Sequence, residues 1–244
     1  MNTQQAVAAL VAEKPSLNVH NGEIHNWRMQ RPILDWIASH VQTGWTTLET
    51  GAGYTTTVFA AGGCNHTTIS PSAPEHERIK NWCSSQDIPT DNLTFYPSPS
   101  EDILPTLDTG PLDMVLIDGA HAWPFPYLDW YFTARNLKVG GYMIIDDLNI
   151  ITGEHLFDFL KGEEKAGRWK FETVINHTGV FIKTSENLFG TEEWLSQPYL
   201  LDQHRQRAWK WTPNPLNKAK QFLKKSDFLY NKFSKYSKLG GPGM

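Results

Sequence analysis

Short apolar runs alternate with amphipathic stretches along the first 185 residues of this chain. Helical spacing is expected at Thr3–Ala12 and Pro32–His40, followed by a strand at Thr46–Glu49 and a helix at Thr55–Ala61 that stops at Gly62-Gly63. His66–Ile69 reads as a second strand, Pro74–Ser84 as a helix and Leu93–Tyr96 as a third strand. Met114–Asp118 is a strongly apolar fourth strand. Phe125–Leu137 follows as an aromatic-rich helix, Gly140-Gly141 as a turn, Tyr142–Ile145 as a fifth strand and Leu156–Ala166 as a helix. Phe171–Asn176 and Val180–Lys183 alternate around Thr178-Gly179, the pattern of an antiparallel hairpin. Strands alternating with helices predict an α/β fold, a doubly wound Rossmann-like sheet, mainly parallel with a C-terminal antiparallel hairpin. The organisation follows: residues 1–45 as an N-terminal helical cap, 46–185 as the α/β core and 186–244 as a C-terminal extension.

The stretch T-T-L-E-T-G-A-G-Y-T-T-T, residues 46–57, runs from strand through a glycine turn into a helix. Glycine lacks a Cβ, so Gly51-Ala52-Gly53 lets the backbone approach a ligand, and the next helix directs its free N–H groups there. A P-loop would need a Lys after the glycines, and none is present. The dinucleotide fingerprint would need Gly or Ala where Thr56 stands. Glu49, two residues ahead of Gly51, would repel a pyrophosphate and attract an ammonium, which suits the cationic amino-acid end of S-adenosylmethionine. A turn joining strand to helix without a ligand has the same local sequence.

With 40% apolar and 20% charged residues in 244, the chain can bury a substantial core. No apolar run approaches the ~20 residues of a membrane span. The first residues lack the basic start of a leader, so a cytoplasmic protein with no transmembrane segment is expected. Cys64 and Cys83 have neither C-x-x-C nor zinc spacing. The net charge of −4 hides an asymmetry: residues 1–200 hold 12 Lys+Arg against 24 Asp+Glu, and residues 201–244 hold 10 against 2. An acidic body argues against a nucleic-acid substrate. In the basic tail, Phe222, Leu223, Leu229, Tyr230, Phe233 and Tyr236 are interleaved with lysines, as in an amphipathic helix that docks on the acidic body or on the second subunit of a homodimer.

Ligands of open α/β sheets sit beyond the carboxyl ends of the strands. Those ends carry Glu49, Ser70, Ser98–Glu101, Asp118 and Asp146-Asp147. So many carboxylates on one edge repel one another unless a cation joins them. Asp146-Asp147 is also an ordinary loop opening onto a helix.

L-D-M-V-L-I-D-G-A-H (112–121), L-K-V-G-G-Y-M-I-I-D-D (137–147), S-P-S-E-D-I-L-P-T-L (98–107) and L-E-T-G-A-G-Y-T-T (48–56) follow one another in order. Together, over about residues 30–185, they resemble the class I S-adenosylmethionine-dependent methyltransferases, and within them the small-molecule O-methyltransferases of the catechol and macrolide-sugar type. The resemblance implies that Glu49, Gly51, Ala52, Gly53, Tyr54 and Thr55 hold the methionine end of the cofactor and that Ser100 and Glu101 line its adenine. It implies Asp118, Asp146 and Asp147 as ligands of a Mg²⁺ ion that chelates a small hydroxylated acceptor. His121 falls where the catechol-type enzymes place a catalytic lysine and would act as general base, unless it only bonds nearby backbone. One position departs from the pattern. The second strand ends in Ser70, where the family has an acid that takes both ribose hydroxyls, and Glu75 is the candidate substitute. That departure keeps open a noncatalytic binding protein on the same fold, beside a nicotinamide-dependent oxidoreductase as the rival enzyme. Among the aromatic residues near the fourth strand, Trp123 is placed to border the acceptor, and His20, His25 and Trp27 could form a lid.

Overall fold

The computed structural model describes residues 1–191 and 193–207. They fall into two units, Met1–Leu188 and a second beginning at Phe189. The first opens with α1 (Thr3–Glu13), whose N-cap Asn2 accepts from the backbone N–H of Gln5 while the Gln5 side chain accepts from that of Asn2. A two-stranded ribbon, β1 (Val19–His20) and β2 (Glu23–Ile24), precedes α2 (Arg31–His40). The α/β core follows: β3 (Thr46–Thr50), α3 (Tyr54–Ala61), β4 (Asn65–Ile69), α4 (Ala73–Ser85), β5 (Leu93–Tyr96), α5 (Ser100–Ile103), β6 (Leu112–Ile117), α6 (Phe125–Asn136), β7 (Leu137–Ile145), α7 (Ile151–Glu163), β8 (Trp169–Ile175) and β9 (Thr178–Lys183).

Among the described residues the main sheet has seven strands in the order β5-β4-β3-β6-β7-β9-β8. Strands β5 to β7 run parallel, and β9 and β8 are antiparallel additions at the β7 edge. The chain winds one way from β3 to β5 and the other way from β6, so the order reverses between β3 and β6. A ligand crevice belongs at that point. Helices α1, α2 and α3 pack on the sheet through Leu10, Ile33, Leu34, Ile37, Val58 and Phe59. Helix α3 packs against β4 and against α1 and α2 and is buried from Tyr54 to Ala60, which explains its lack of a polar face. Strands β3 and β6 are buried on both faces, as a central parallel strand requires. Past buried Trp169, strand β8 alternates exposed and half-buried residues, as an edge strand should.

The predicted doubly wound sheet and its antiparallel end are present, with local differences. Gly140-Gly141 is not a turn: β7 passes through it, with an irregular register against β6 and Gly140 at φ +89°. The last hairpin turns at Asn176-His177, where Asn176 takes a left-handed φ of 54°, so Thr178 and Gly179 lie in β9. Gly179 is required there because a Cβ would meet the Phe157 ring at 2.6 Å. Helix α7 starts at Ile151, five residues earlier than the pattern predicts, and a 3-10 turn at Glu164–Ala166 follows it. The region past Ser185, irregular in sequence, contains a 3-10 turn at Trp194–Ser196 and α8 (Pro198–Arg207), with the Trp194 and His204 rings 4.7 Å apart. The amphipathic helix expected at Phe222–Tyr236 lies outside the described residues. No helix among the described residues is long and apolar enough to cross a membrane.

Candidate functional site

The strand ends meet at the β3/β6 reversal through a continuous backbone ladder. Gly51 N–H donates to Ile69 O at 2.9 Å, Asp118 N–H to Thr50 O at 3.0 Å, and Asp146 N–H to Ile117 O at 3.0 Å. Gly51 has φ +90°, and a Cβ on it would overlap the carbonyl of Asp118. Glycine is therefore required at this position by the neighbouring strand as well as by any ligand.

Glu49 is 1% exposed and does not open onto the turn. Its Oε2 accepts from the Thr55 hydroxyl at 2.5 Å, and its Oε1 accepts from the hydroxyls of Thr56 and Thr68 and from His66 Nε2. The Thr56 hydroxyl in turn accepts from Gly53 N–H at 2.9 Å. Thr47 sits 2.8 Å from the other His66 nitrogen. A residue that breaks the dinucleotide fingerprint thus ties the glycine turn to the acid before it. Glu49 and Thr55 face this network, whereas Gly51, Ala52 and Gly53 form the turn itself. Tyr54 is buried and donates its hydroxyl to Pro15 O at 3.1 Å.

On the β4 side, Ser70 is buried and donates to Glu75 Oε2 at 2.6 Å. Glu75 lies in the first turn of α4, and its other oxygen accepts from Asn18 Nδ2 at 3.1 Å and Val19 N–H at 3.3 Å. Past β5, Ser100 donates to Asp129 Oδ1 at 2.7 Å, and Glu101 is partly exposed beside it. Asp129, on α6, is 1% exposed. Burial pushes its carboxyl up to about 6, against the lowering effect of the Ser100 hydrogen bond. The Thr50 hydroxyl also faces this carboxyl and acts in the same lowering direction, and Asp129 Oδ2 and Thr50 Oγ1 each lie 3.2 Å from where a Cβ on Gly119 would stand.

On the β6/β7 side the ligand atoms of Asp118, His121 and Asp147 lie within 4.8 Å of one another. His121 Nε2 is 3.2 Å from Asp147 Oδ2. Asp147 holds a left-handed φ of 54°, a conformation Asp tolerates, and this re-aims its side chain relative to Asp146. Gly153 of α7 permits close packing beneath, since a Cβ there would meet Asp147 O at 2.5 Å. Thr152 fixes the loop by donating to His121 O at 2.6 Å. Asp146 lies outside the three-residue set and accepts from the Thr178 hydroxyl on β9. Burial, then the charges of Asp146, Asp147, Glu49 and Glu75, pushes Asp118 well above the usual carboxylate range. A cation on Asp118 and Asp147 would reverse that penalty, so the donor set fits a divalent ion.

The sequence pattern thus leads to the edge where its residues gather, but it does not reveal Asn18, His66, Thr56 or Asp129 as partners in it. Asp129 was visible only as the one acid within the aromatic run F-P-Y-L-D-W-Y-F. Trp123 is 68% exposed, with its ring 4.5 Å from that of Tyr127. His25 and Trp27 stack at 4.3 Å just after the β1-β2 ribbon.

Residues 48–148 match the family described as a methyltransferase domain. No curated protein sequence matches the chain. Two solved structures share the fold. Cofactor-bound Rv0187 from MTB is 16% identical, with 74% of this chain and 90% of that one covered and a TM-score of 0.55. The O-methyltransferase TomG from Streptomyces achromogenes, in complex with SAM, is 18% identical, with 75% and 89% covered and a TM-score of 0.52.

Proposed function

We propose, from the premise that residues 48–148 form a class I S-adenosylmethionine-dependent methyltransferase domain, that the protein transfers a methyl group to a hydroxyl of a small molecule with the help of a divalent cation such as Mg²⁺. The observation that carries this reading is the meeting of Asp118, His121 and Asp147 beside the Gly51 turn. An alcohol or phenol is a poor nucleophile at neutral pH. A bound cation supplies orientation of the acceptor oxygen and a lowered pKa.

The chain's own groups do the rest. The Gly51–Gly53 turn and the start of α3 provide close backbone approach for the donor's amino-acid end, with Ser70, Ser100 and Glu101 placed along the same edge. Asp118 and Asp147 present hard oxygen ligands, with Asp146 oriented alongside by Thr178. Asp147 orients the His121 imidazole, whose partly exposed ring can receive the acceptor's proton. Alignment of acceptor oxygen, methyl carbon and sulfur is a matter of positioning, which a rigid strand-end platform provides. Exposed Trp123, two residues past His121, offers a flat apolar face to an acceptor. TomG, described as an O-methyltransferase, supports the choice of oxygen as the methylated atom.

The first test is calorimetric titration with S-adenosylmethionine, expected to saturate near one per chain; no binding at millimolar cofactor overturns the reading. His121 cannot be both ligand and base. Loss of Mn²⁺ binding in His121→Ala assigns it to the cation, whereas retained binding with lost turnover assigns it to proton transfer.

A further inference from the structure

Glu75 is a buried carboxylate held by three neutral donors: the Ser70 hydroxyl, the Asn18 amide and the Val19 N–H. None of these partners is a cation. A buried carboxylate is costly to maintain on neutral donors alone, and its position explains what it could do. It reaches back from the first turn of α4 to the end of β4, where Ser70 stands in place of an acid. The same Asn18 amide that meets Glu75 also donates to Ala52 O in the glycine turn at 3.0 Å. One side chain therefore bridges the glycine turn and the acid beside β4.

The segment that carries Asn18 is anchored on both sides. Arg78 of α4 donates through Nε and Nη2 to Ser16 O, at 2.8 and 2.5 Å. The Tyr54 hydroxyl of α3 reaches Pro15 O. Upstream, Trp82 of α4 and Gln86, which caps its C-terminus, donate to Glu13. Residues 13–19 thus form a strap from α4 across to the glycine turn.

We infer that Glu75, on helix α4, supplies the carboxylate that receives the two ribose hydroxyls of the cofactor, with Ser70 as its positioning residue and the Asn18 strap closing over the same oxygen. This deepens the S-adenosylmethionine reading and rests on it. Two hydroxyls of a diol call for both carboxylate oxygens. One faces Ser70, and the other is held by Asn18 and Val19, so the strap hands Oε1 to the ribose when the cofactor enters. Displacement of the acid from strand end to helix puts its reach under the control of a segment outside the sheet.

The test uses S-adenosylhomocysteine and its 2′-deoxy analogue as calorimetric probes on the full chain. Wild type should prefer the intact ribose by roughly 10- to 100-fold. Glu75→Gln should lose that preference and bind the deoxy analogue more weakly than wild type, by a smaller factor than it loses for the intact ribose, because the 3′ hydroxyl remains. Ser70→Asp combined with Glu75→Gln should restore it. If Glu75→Gln does not fold, Glu75→Asp keeps the charge and shortens the reach; a loss of at least about tenfold for the intact ribose at unchanged thermal stability is then expected. Equal ribose preference in wild type and variants overturns the inference. Failure of wild type to bind S-adenosylhomocysteine at all would overturn the cofactor reading on which it rests, a separate outcome.

Discussion

Asp129→Asn tests the electrostatics of the site floor. The wild-type carboxyl is buried beside Gly119 and accepts a hydrogen bond from Ser100, and burial pushes it up from 3.8 to about 6. Because the folded state holds this proton more tightly than the unfolded state, the contribution to stability is fully present below pH 3.8. It is lost as pH rises through 6. The loss amounts to about 3 kcal/mol in total, of which roughly 1.4 kcal/mol falls between pH 5 and 8. Asparagine keeps the shape and the acceptor for Ser100, carries no charge at any pH, and offers an N–H to the neighbouring Thr50 hydroxyl. Urea unfolding of wild type and variant at pH 5, 6, 7 and 8 isolates this group, because other titrations cancel in the difference. The variant should gain roughly 1–3 kcal/mol relative to wild type at pH 8, with the advantage shrinking by about 1.4 kcal/mol at pH 5. A difference independent of pH, or a variant that loses more stability at pH 8 than at pH 5, would refute the argument.

Other substitutions separate the remaining roles. Glu49→Gln should cost roughly 2–4 kcal/mol in chemical unfolding, because three hydroxyls and His66 lose a charged acceptor; unchanged stability with lost cofactor affinity would place Glu49 at the ligand instead. Gly51→Ala should destabilise by roughly 2–4 kcal/mol, from left-handed strain and the clash with Asp118 O, measurable as a lowered melting temperature. Asp147→Asn tolerates the same φ and should lower methyl transfer by roughly 100-fold or more while leaving S-adenosylmethionine affinity within about threefold. Parallel losses in both would assign Asp147 to the cofactor.

The order of strands and the edge on which the acids gather were legible because parallel central strands are continuous apolar runs, and because each run ends in a polar residue. The pattern could not show which way those polar groups point. Glu49 precedes the glycines at a spacing that suits an ammonium, yet its carboxylate turns inward because three threonines and His66 offer donors there. Of the partners that hold these acids, Asn18, His66, Thr68 and Thr178 come from elements distant in sequence, whereas Thr55 and Thr56 lie six and seven residues from Glu49 and Ser70 lies five from Glu75. The Gly140-Gly141 pair reads as a turn by local chemistry, but pairing of β7 with β6 and β9 carries the strand through it. The five missing residues at the start of α7 have a similar cause. Gly153 weakens the helical pattern, and only its contact with the Asp146-Asp147 backbone makes glycine the right residue.

Gly51 and the carbonyl of Asp118 touch through backbone alone. The turn after β3 and the backbone after β6 are consequently held together, and on the proposed function strand spacing would set the distance between a methyl donor at the first and an acceptor at the second. On the same reading, an exposed residue such as Trp123 would be free to change with the acceptor without altering that distance. In a chain of this design, diversification of substrate is a matter of the rim, while the gauge of the reaction is inherited with the sheet.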